Sequence, residues 1–424
     1  MKVCGIICEY NPLHNGHRYH MEQTRRLLGD DMALVCVMSG NFVQRGEPAL
    51  LPKHVRTEMA LRAGADLVIE LPTVFAMSGA ERFAEAGVAL LDLLGVVTHL
   101  SFGAEDADLP ALRELAETAL EHDVVQATLR ELQTGISYAA ARERALFARL
   151  REKAALLQKP NNTLAVEYCK ALLRRGSTIE PVAVARRGAA HDAISAEGNP
   201  SASELRALHA EGKLDAACGR MPDDAARLMR EAAQCGQTPD PVRVACSVMT
   251  RLRCMTADEL ALLPDVSEGL EYRLYDALRA SRTPEEALAR AKTRRYPLAR
   301  LRRMSMYAWL GIRACDVPRE APYARVLGYS ERGRPLLRAA AKAEKIPLIT
   351  RPAQAKTLPP QGAALFALEA RCTDLYHLTL CDWQACEPGA EWLHGALAFE
   401  NGEIAAHGKK IRQALDIAAN GVIY

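Results

Sequence analysis

Two histidines three residues apart, His14 and His17, flank Gly16 directly after the apolar run Val3–Cys8. The segment Glu9-Tyr10-Asn11-Pro12-Leu13-His14-Asn15-Gly16-His17 therefore reads as a buried strand, a tight turn, and a helix opening on an H-x-G-H signature. Unpaired backbone N–H groups and the positive end of the helix dipole suit an anion there. Gly16 lets the backbone approach where a side chain would intrude. The imidazoles can donate charge-assisted hydrogen bonds to a triphosphate as charge builds on its leaving group. That is the chemistry of adenylation, in which an acid attacks ATP and pyrophosphate departs. His20 lies one turn beyond His17 on the same helix face, where it either touches the phosphates or covers the sheet. Glu9 and Asn11 either stabilise the turn through side-chain-to-backbone bonds or position Mg²⁺ or the acid.

Other chemically capable residues follow in order. In Gln44-Arg45-Gly46-Glu47-Pro48, Arg45 can pair with an anion or only with Glu47. Lys53 and Arg56 open the next helix, where a lysine reaches a carboxylate or phosphate or is merely solvated. Gly103, after Ser101-Phe102, presses backbone against adenine or ribose, or simply ends a strand. Ser201-Ala202-Ser203-Glu204-Leu205-Arg206 is similar to the I-S-S-T-x-I-R phosphate motif of nucleotidyltransferases. Ser201, Ser203 and helix N–H groups would hold one phosphate and Arg206 another; the bland alternative is a plain N-cap. Lys292, Arg294, Arg295, Arg300, Arg302 and Arg303, interleaved with Tyr296, form the densest basic cluster. Such a run tracks RNA phosphates with a stacking contact, or is a solvated helix face. Arg332, Arg334 and Arg338 form a weaker second cluster.

The elements that must position these residues alternate between strand-like and helix-like patterns, which predicts an α/β fold with a Rossmann-like parallel sheet. Strands are expected at Lys2–Cys8, Leu34–Met38, Leu67–Glu70, His99–Phe102 and Ile179–Ala185. Helices are expected at Gly16–Leu28, Lys53–Ala63, Glu81–Leu94, Tyr138–Leu157 and Thr163–Arg174. The chemically interesting segments follow the strands, where such a sheet holds its ligand. Residues 1–210 are expected to form the catalytic domain, 211–317 a helical region with possible RNA contact, and 318–424 a small α+β domain. Short strands are expected there at Arg325–Leu327, Leu348–Ile349 and Val422–Tyr424, with helices at Arg334–Ala343 and Ala363–Leu375.

Composition bounds the function classes. The 424 residues are 49% apolar and 25% charged, ordinary for a soluble globular chain. A net charge of +2 means that any nucleic-acid surface is local. No run approaches the roughly 20 apolar residues of a membrane span, and no signal peptide is expected. The twelve cysteines contain no C-x-x-C pair, so reduced thiols and a cytoplasmic location are expected.

The N-terminal run Gly5–His17 resembles the opening of the bacterial tRNA(Met) cytidine acetate ligase family. Further segments match in order: Met38–Ala49, Ala63–Pro72, Leu100–Glu105, Pro160–Leu164 and Val326–Tyr329. The resemblance implies that ATP activates acetate as acetyl-adenylate. The acetyl group then passes to N4 of the wobble cytidine of elongator tRNA(Met). It also implies an ATP site made from the Ile7–His20 segment, including Ile7, Glu9, Tyr10, Asn11, Pro12, Gly16, His17 and His20. Gly103, Asn162 and either Arg186 or Arg187 would complete that site, with Mg²⁺ neutralising the triphosphate. In the catalytic step, His14, His17 and Arg206 would stabilise the departing charge. The alternative is a small-molecule nucleotidylyltransferase using the same H-x-G-H site.

Overall fold

The computed structural model describes residues 1–186, 201–267 and 269–405. Its N-terminal half alternates β1 (Val3–Cys8), α1 (Asn15–Leu28), β2 (Ala33–Ser39), α2 (Lys53–Arg62), β3 (Leu67–Leu71), α3 (Ala80–Leu93) and β4 (His99–Ala104). Then come α4 (Pro160–Arg175) and β5 (Glu180–Ala185). These strands lie parallel in the order β3-β2-β1-β4-β5. The chain thus builds outward from β1 on one side and returns to begin again on the other. The crevice at the carboxyl ends of β1 and β4 is the switch point of the topology.

The apolar runs give strands buried on both faces, with alternate residues serving different layers. Cys4, Ile6, Cys8, Leu34, Cys36 and Met38 belong to one core, while Val3, Val35 and Val37 belong to the other. Gly5 and Gly87 bring α3 close to β1: a Cβ on Gly5 would lie 2.6 Å from Leu91, and one on Gly87 2.6 Å from Ile7. All twelve cysteines are unpaired.

The middle of the chain is helical, as expected, and includes α5 (Ala202–Ala210) and α6 (Leu298–Leu310). The C-terminal part differs from the sequence expectation in one respect. Its strands do not make a sheet of their own. The strand β6 (Ala324–Ser330) pairs antiparallel with β3, and β7 (Leu397–Glu400) and β8 (Glu403–Ile404) extend the same sheet outward. The helix α7 (Pro360–His377) packs beside them. Covering the otherwise open edge of β3 is the physical reason. Asp66 fastens the seam, since its carboxylate accepts from the Leu34 N–H at 2.9 Å and from Ser330 Oγ at 2.9 Å. The strand expected at Val422–Tyr424 lies outside the described residues. Among the described residues no helix is long and apolar enough to cross a membrane.

Candidate nucleotide site

A cavity of about 600 Å³ opens at the switch point. Both histidines of the H-x-G-H signature line it. His14 is the N-cap of α1: its Nδ1 accepts the Gly16 N–H at 3.0 Å, while His17 Nδ1 accepts the His14 N–H at 3.3 Å. The reciprocal pattern is a capping box made from two imidazoles, whose rings stack at 3.7 Å. The capping and phosphate roles are therefore compatible. With Nδ1 accepting, a neutral ring carries its proton on Nε2, so each histidine keeps one donor to spare. Burial, reinforced by the positive charges of Arg186 and Arg206, holds His14 down at about 3. Burial likewise holds His17 well below its ordinary value. With no anion beside them both rings are neutral at pH 7, and a bound polyanion would raise both.

The cations of the site are arginines. Arg206, on the first turns of α5, donates to the Asn11 carbonyl at 2.8 Å and lies 3.1 Å from Glu47 Oε1. Ser201 caps that helix by accepting the Glu204 N–H at 3.2 Å, and Ser203 sits beside it. All three residues line the cavity, so the S-x-S-x-L-R segment does converge on the H-x-G-H turn. Ile7, Glu9, Tyr10, Asn11, Gly16 and Gly103 also line it. Glu9 accepts the Gln44 N–H at 2.7 Å, and burial pushes its carboxyl upward.

The two flanks of the cavity differ in chemistry. On the β4–β5 side stand Phe102, Gly103, Val184, Leu164 and Phe83, with Arg186 and Asn161 at the rim. A Cβ on Gly103 would fall 3.4 Å from Arg186 Cγ, so the backbone there is close to that side chain. This flank offers apolar surface for a base. The β1–β2 side is polar, with Glu9, Asn11, Gln44, Arg45, Arg206 and Arg303.

Several expected site residues are placed elsewhere. Asn162 is fully buried and outside the cavity wall; its carboxamide binds the Asp106 N–H at 3.1 Å and the Asp106 carboxylate at 3.0 Å. Its neighbour Asn161 faces the cavity instead, because adjacent residues in the first turn of α4 point about 100° apart. Pro12 is buried in the turn without lining the cavity. His20 lines it, but its Nε2 lies 2.9 Å from Ser101 Oγ, which ties it to the sheet. Arg187 lies outside the described residues. Lys53 meets no phosphate: it is buried between Glu70, at 2.7 Å, and Glu391. Arg56 is buried too, pinning the ends of β1 and β2 through the carbonyls of Glu9 (2.6 Å), Ser39 (3.0 Å) and Gly40.

The basic segment divides. Lys292, Arg294 and Arg302 are exposed and Arg295 is half-buried. Arg300 bonds the Asp265 carbonyl at 2.6 Å and Ser267 Oγ at 3.0 Å. Tyr296 is buried in the core, so it offers no stacking face. Arg303, one position on from exposed Arg302, turns inward to the nucleotide cavity. Helical spacing within 298–303 was the signal that could have separated it from the rest.

The sequence profile of the HIGH Nucleotidyl Transferase family matches residues 1–387. The chain is 38% identical over 404 residues to the tRNA(Met) cytidine acetate ligase of Thermoanaerobacter sp. (strain X514), covering 93% of this chain and 99% of that one. It is 38% identical to the protein of that name from Acetivibrio thermocellus, covering 89% and 94% of the two chains. A crystal structure of Thermotoga maritima TmcAL in its apo form superposes with a TM-score of 0.89 at 30% identity, over 95% of this chain and all of that one. The same protein bound with alpha-thio ATP gives 0.87 at 29% identity, with the same coverage.

Proposed function

Because the chain belongs to the tRNA(Met) cytidine acetate ligase family of HIGH nucleotidyl transferases, we propose that it activates acetate with ATP and acetylates N4 of the wobble cytidine of elongator tRNA(Met). The observation that carries this reading is the convergence of two neutral imidazole donors with Arg206 and Arg186 on one cavity.

An acetate oxygen attacks the α-phosphorus. The bond from that phosphorus to the bridging oxygen breaks, and its electron pair leaves with pyrophosphate. His14 and His17 donate Nε2–H to the departing oxygens, and Arg206 offsets the charge that builds there, so positioning and electrostatics do most of the work. The adenine and ribose lie on the β4–β5 flank, against Gly103, Arg186 and Asn161. Cytosine N4 is a weak nucleophile and needs an activated acyl donor. It attacks the carbonyl carbon of the mixed anhydride, the carbon–oxygen bond to AMP breaks, and N4 loses one proton to solvent. Water must be kept from the anhydride before that step.

Mg²⁺ would accompany ATP and neutralise the triphosphate. Among the described residues no group of three His, Cys, Asp or Glu is placed to hold a metal. Phosphates and waters would therefore supply most of its ligands, with Glu9 the carboxylate in the cavity wall, a common arrangement for this ion. Residues 1–210 take the catalytic role, and the exposed Lys292, Arg294 and Arg302 of the helical region track tRNA phosphates.

The test is exchange of labelled pyrophosphate into ATP with and without acetate, tRNA being absent. Acetate-dependent exchange is expected. Failure of acetate to stimulate exchange, with an adenylated small product formed instead, would point to a nucleotidylyltransferase.

A further inference from the structure

We propose that the polar β1–β2 flank of the cavity is the carboxylate subsite, in which the Asn11 and Gln44 side-chain amides and the Arg303 guanidinium hold the acetate. The inference rests on the ligase reading and adds the residues that recognise the acid.

Asn11 is the anchor. It is only 2% exposed, and its Oδ1 accepts the Leu50 N–H at 2.7 Å. That bond fixes which end of the carboxamide is which, and leaves Nδ2 buried without a partner among the described residues, in the wall of the cavity. The Gln44 side chain repeats the pattern: its backbone N–H serves Glu9, while its Nε2 is buried and unpartnered. Arg303 adds a guanidinium whose Nε is ion-paired with Asp265 Oδ2 at 3.7 Å. The loop carrying Gln44 is pressed on the helix carrying Arg303. Gly46 has φ +74°, and a Cβ there would lie 2.5 Å from the Arg303 backbone nitrogen.

Buried donors are nearly always paired in native proteins, so two amide donors on one flank with no partner among the described residues imply an acceptor that arrives with a ligand. The triphosphate already has the histidines, Arg206 and the α1 N-terminus. The base has the apolar flank. What lacks a partner is the attacking acid. Glu9, Glu47 and Asp265 bring negative charge to this flank, against which Arg45, Arg206 and Arg303 are set. Two neutral amides beside that near-balanced group suit a small monocarboxylate better than a polyanion.

The experiment uses the full chain with Gln44→Ala, which removes one amide donor from the flank and leaves the Asn11 carboxamide and its bond to Leu50 N–H in place. Pyrophosphate exchange is titrated separately with acetate and with ATP, and ATP binding is measured without acetate by equilibrium dialysis. A rise in the acetate KM of about tenfold or more, the scale of one lost charge-assisted bond, is expected, with the ATP Kd within about twofold of the parent. Gln44 Nε2 has no partner among the described residues, so that variant should keep the parental circular dichroism. An equal loss of ATP affinity, or an unchanged acetate KM in folded Gln44→Ala, would overturn the subsite. Absence of acetate-dependent exchange in the parent protein would instead remove the ligase reading and the subsite with it.

Discussion

Two places in the molecule hold basic side chains at the start of a helix after a parallel strand, and they do opposite things. At α1, His14 and His17 spend one nitrogen each on backbone N–H groups and are kept neutral by burial. Their second nitrogens remain for a ligand. At α2, Lys53 is as deeply buried, but Glu70 and Glu391 consume its charge. Glu391 in turn accepts from Thr373 Oγ1 at 2.9 Å and lies 3.5 Å from Arg325. Burial alone would raise the Glu391 carboxyl; Lys53 and Arg325 outweigh it and hold the group low. At α1 the second imidazole nitrogens are left over, whereas at α2 the Lys53 ammonium is used up by carboxylates.

The sharpest way to break the comparison is His14→Asn. Asparagine caps a helix well, so the fold should survive while the donor toward the phosphates is lost. Acetate-dependent pyrophosphate exchange should fall by roughly 10²–10³-fold, the scale of one lost transition-state donor. Lys53→Met should do the reverse. Removing one partner from a buried ion pair costs about 3–5 kcal/mol, visible as a lower urea midpoint, whereas the fraction still folded should exchange pyrophosphate near the parental rate.

Acid should separate the sites more gently. His14 and His20 are held at about 3 and about 4, in both cases by burial first. Unfolded, they would bind protons near pH ~6.5. Between those limits the unfolded chain holds more protons, so stability should decline as pH falls below about 6.5 and stay level above it. Urea unfolding at pH 7.5 and pH 5 checks this; equal stability at both would contradict neutral buried histidines. The smallest effect is expected at the surface. Replacing Lys292, Arg294 and Arg302 by alanine should raise the tRNA KM only a few-fold, flatten its salt dependence, and leave tRNA-free exchange unchanged.

What could be read from the sequence follows the same division. The five parallel strands and the helices α1 to α4 were legible because apolar periodicity and local capping are short-range signals. The H-x-G-H turn, Gly103 and the Ser201–Arg206 segment were legible as chemistry, and they meet in one cavity. The pairing of β6 with β3 was not, since it joins residues more than 250 positions apart and depends on Asp66 reaching Ser330. The choice of Asn161 over Asn162 depended on which face of α4 turns inward. Arg303 was hidden inside a run of like charges, where only burial separates an inward cation from an outward one. Tyr296 looked like a stacking residue for the same reason.

The most direct measurement is nucleoside mass spectrometry of tRNA incubated with ATP, Mg²⁺, labelled acetate and either the parent protein, His14→Asn or Lys53→Met. Label in N4-acetylcytidine is predicted for the parent, with a large loss for His14→Asn and its retention by folded Lys53→Met. No label from a folded, ATP-binding parent, or undiminished label with His14→Asn, would contradict both the ligase assignment to this cavity and the role given to its spare imidazole donors.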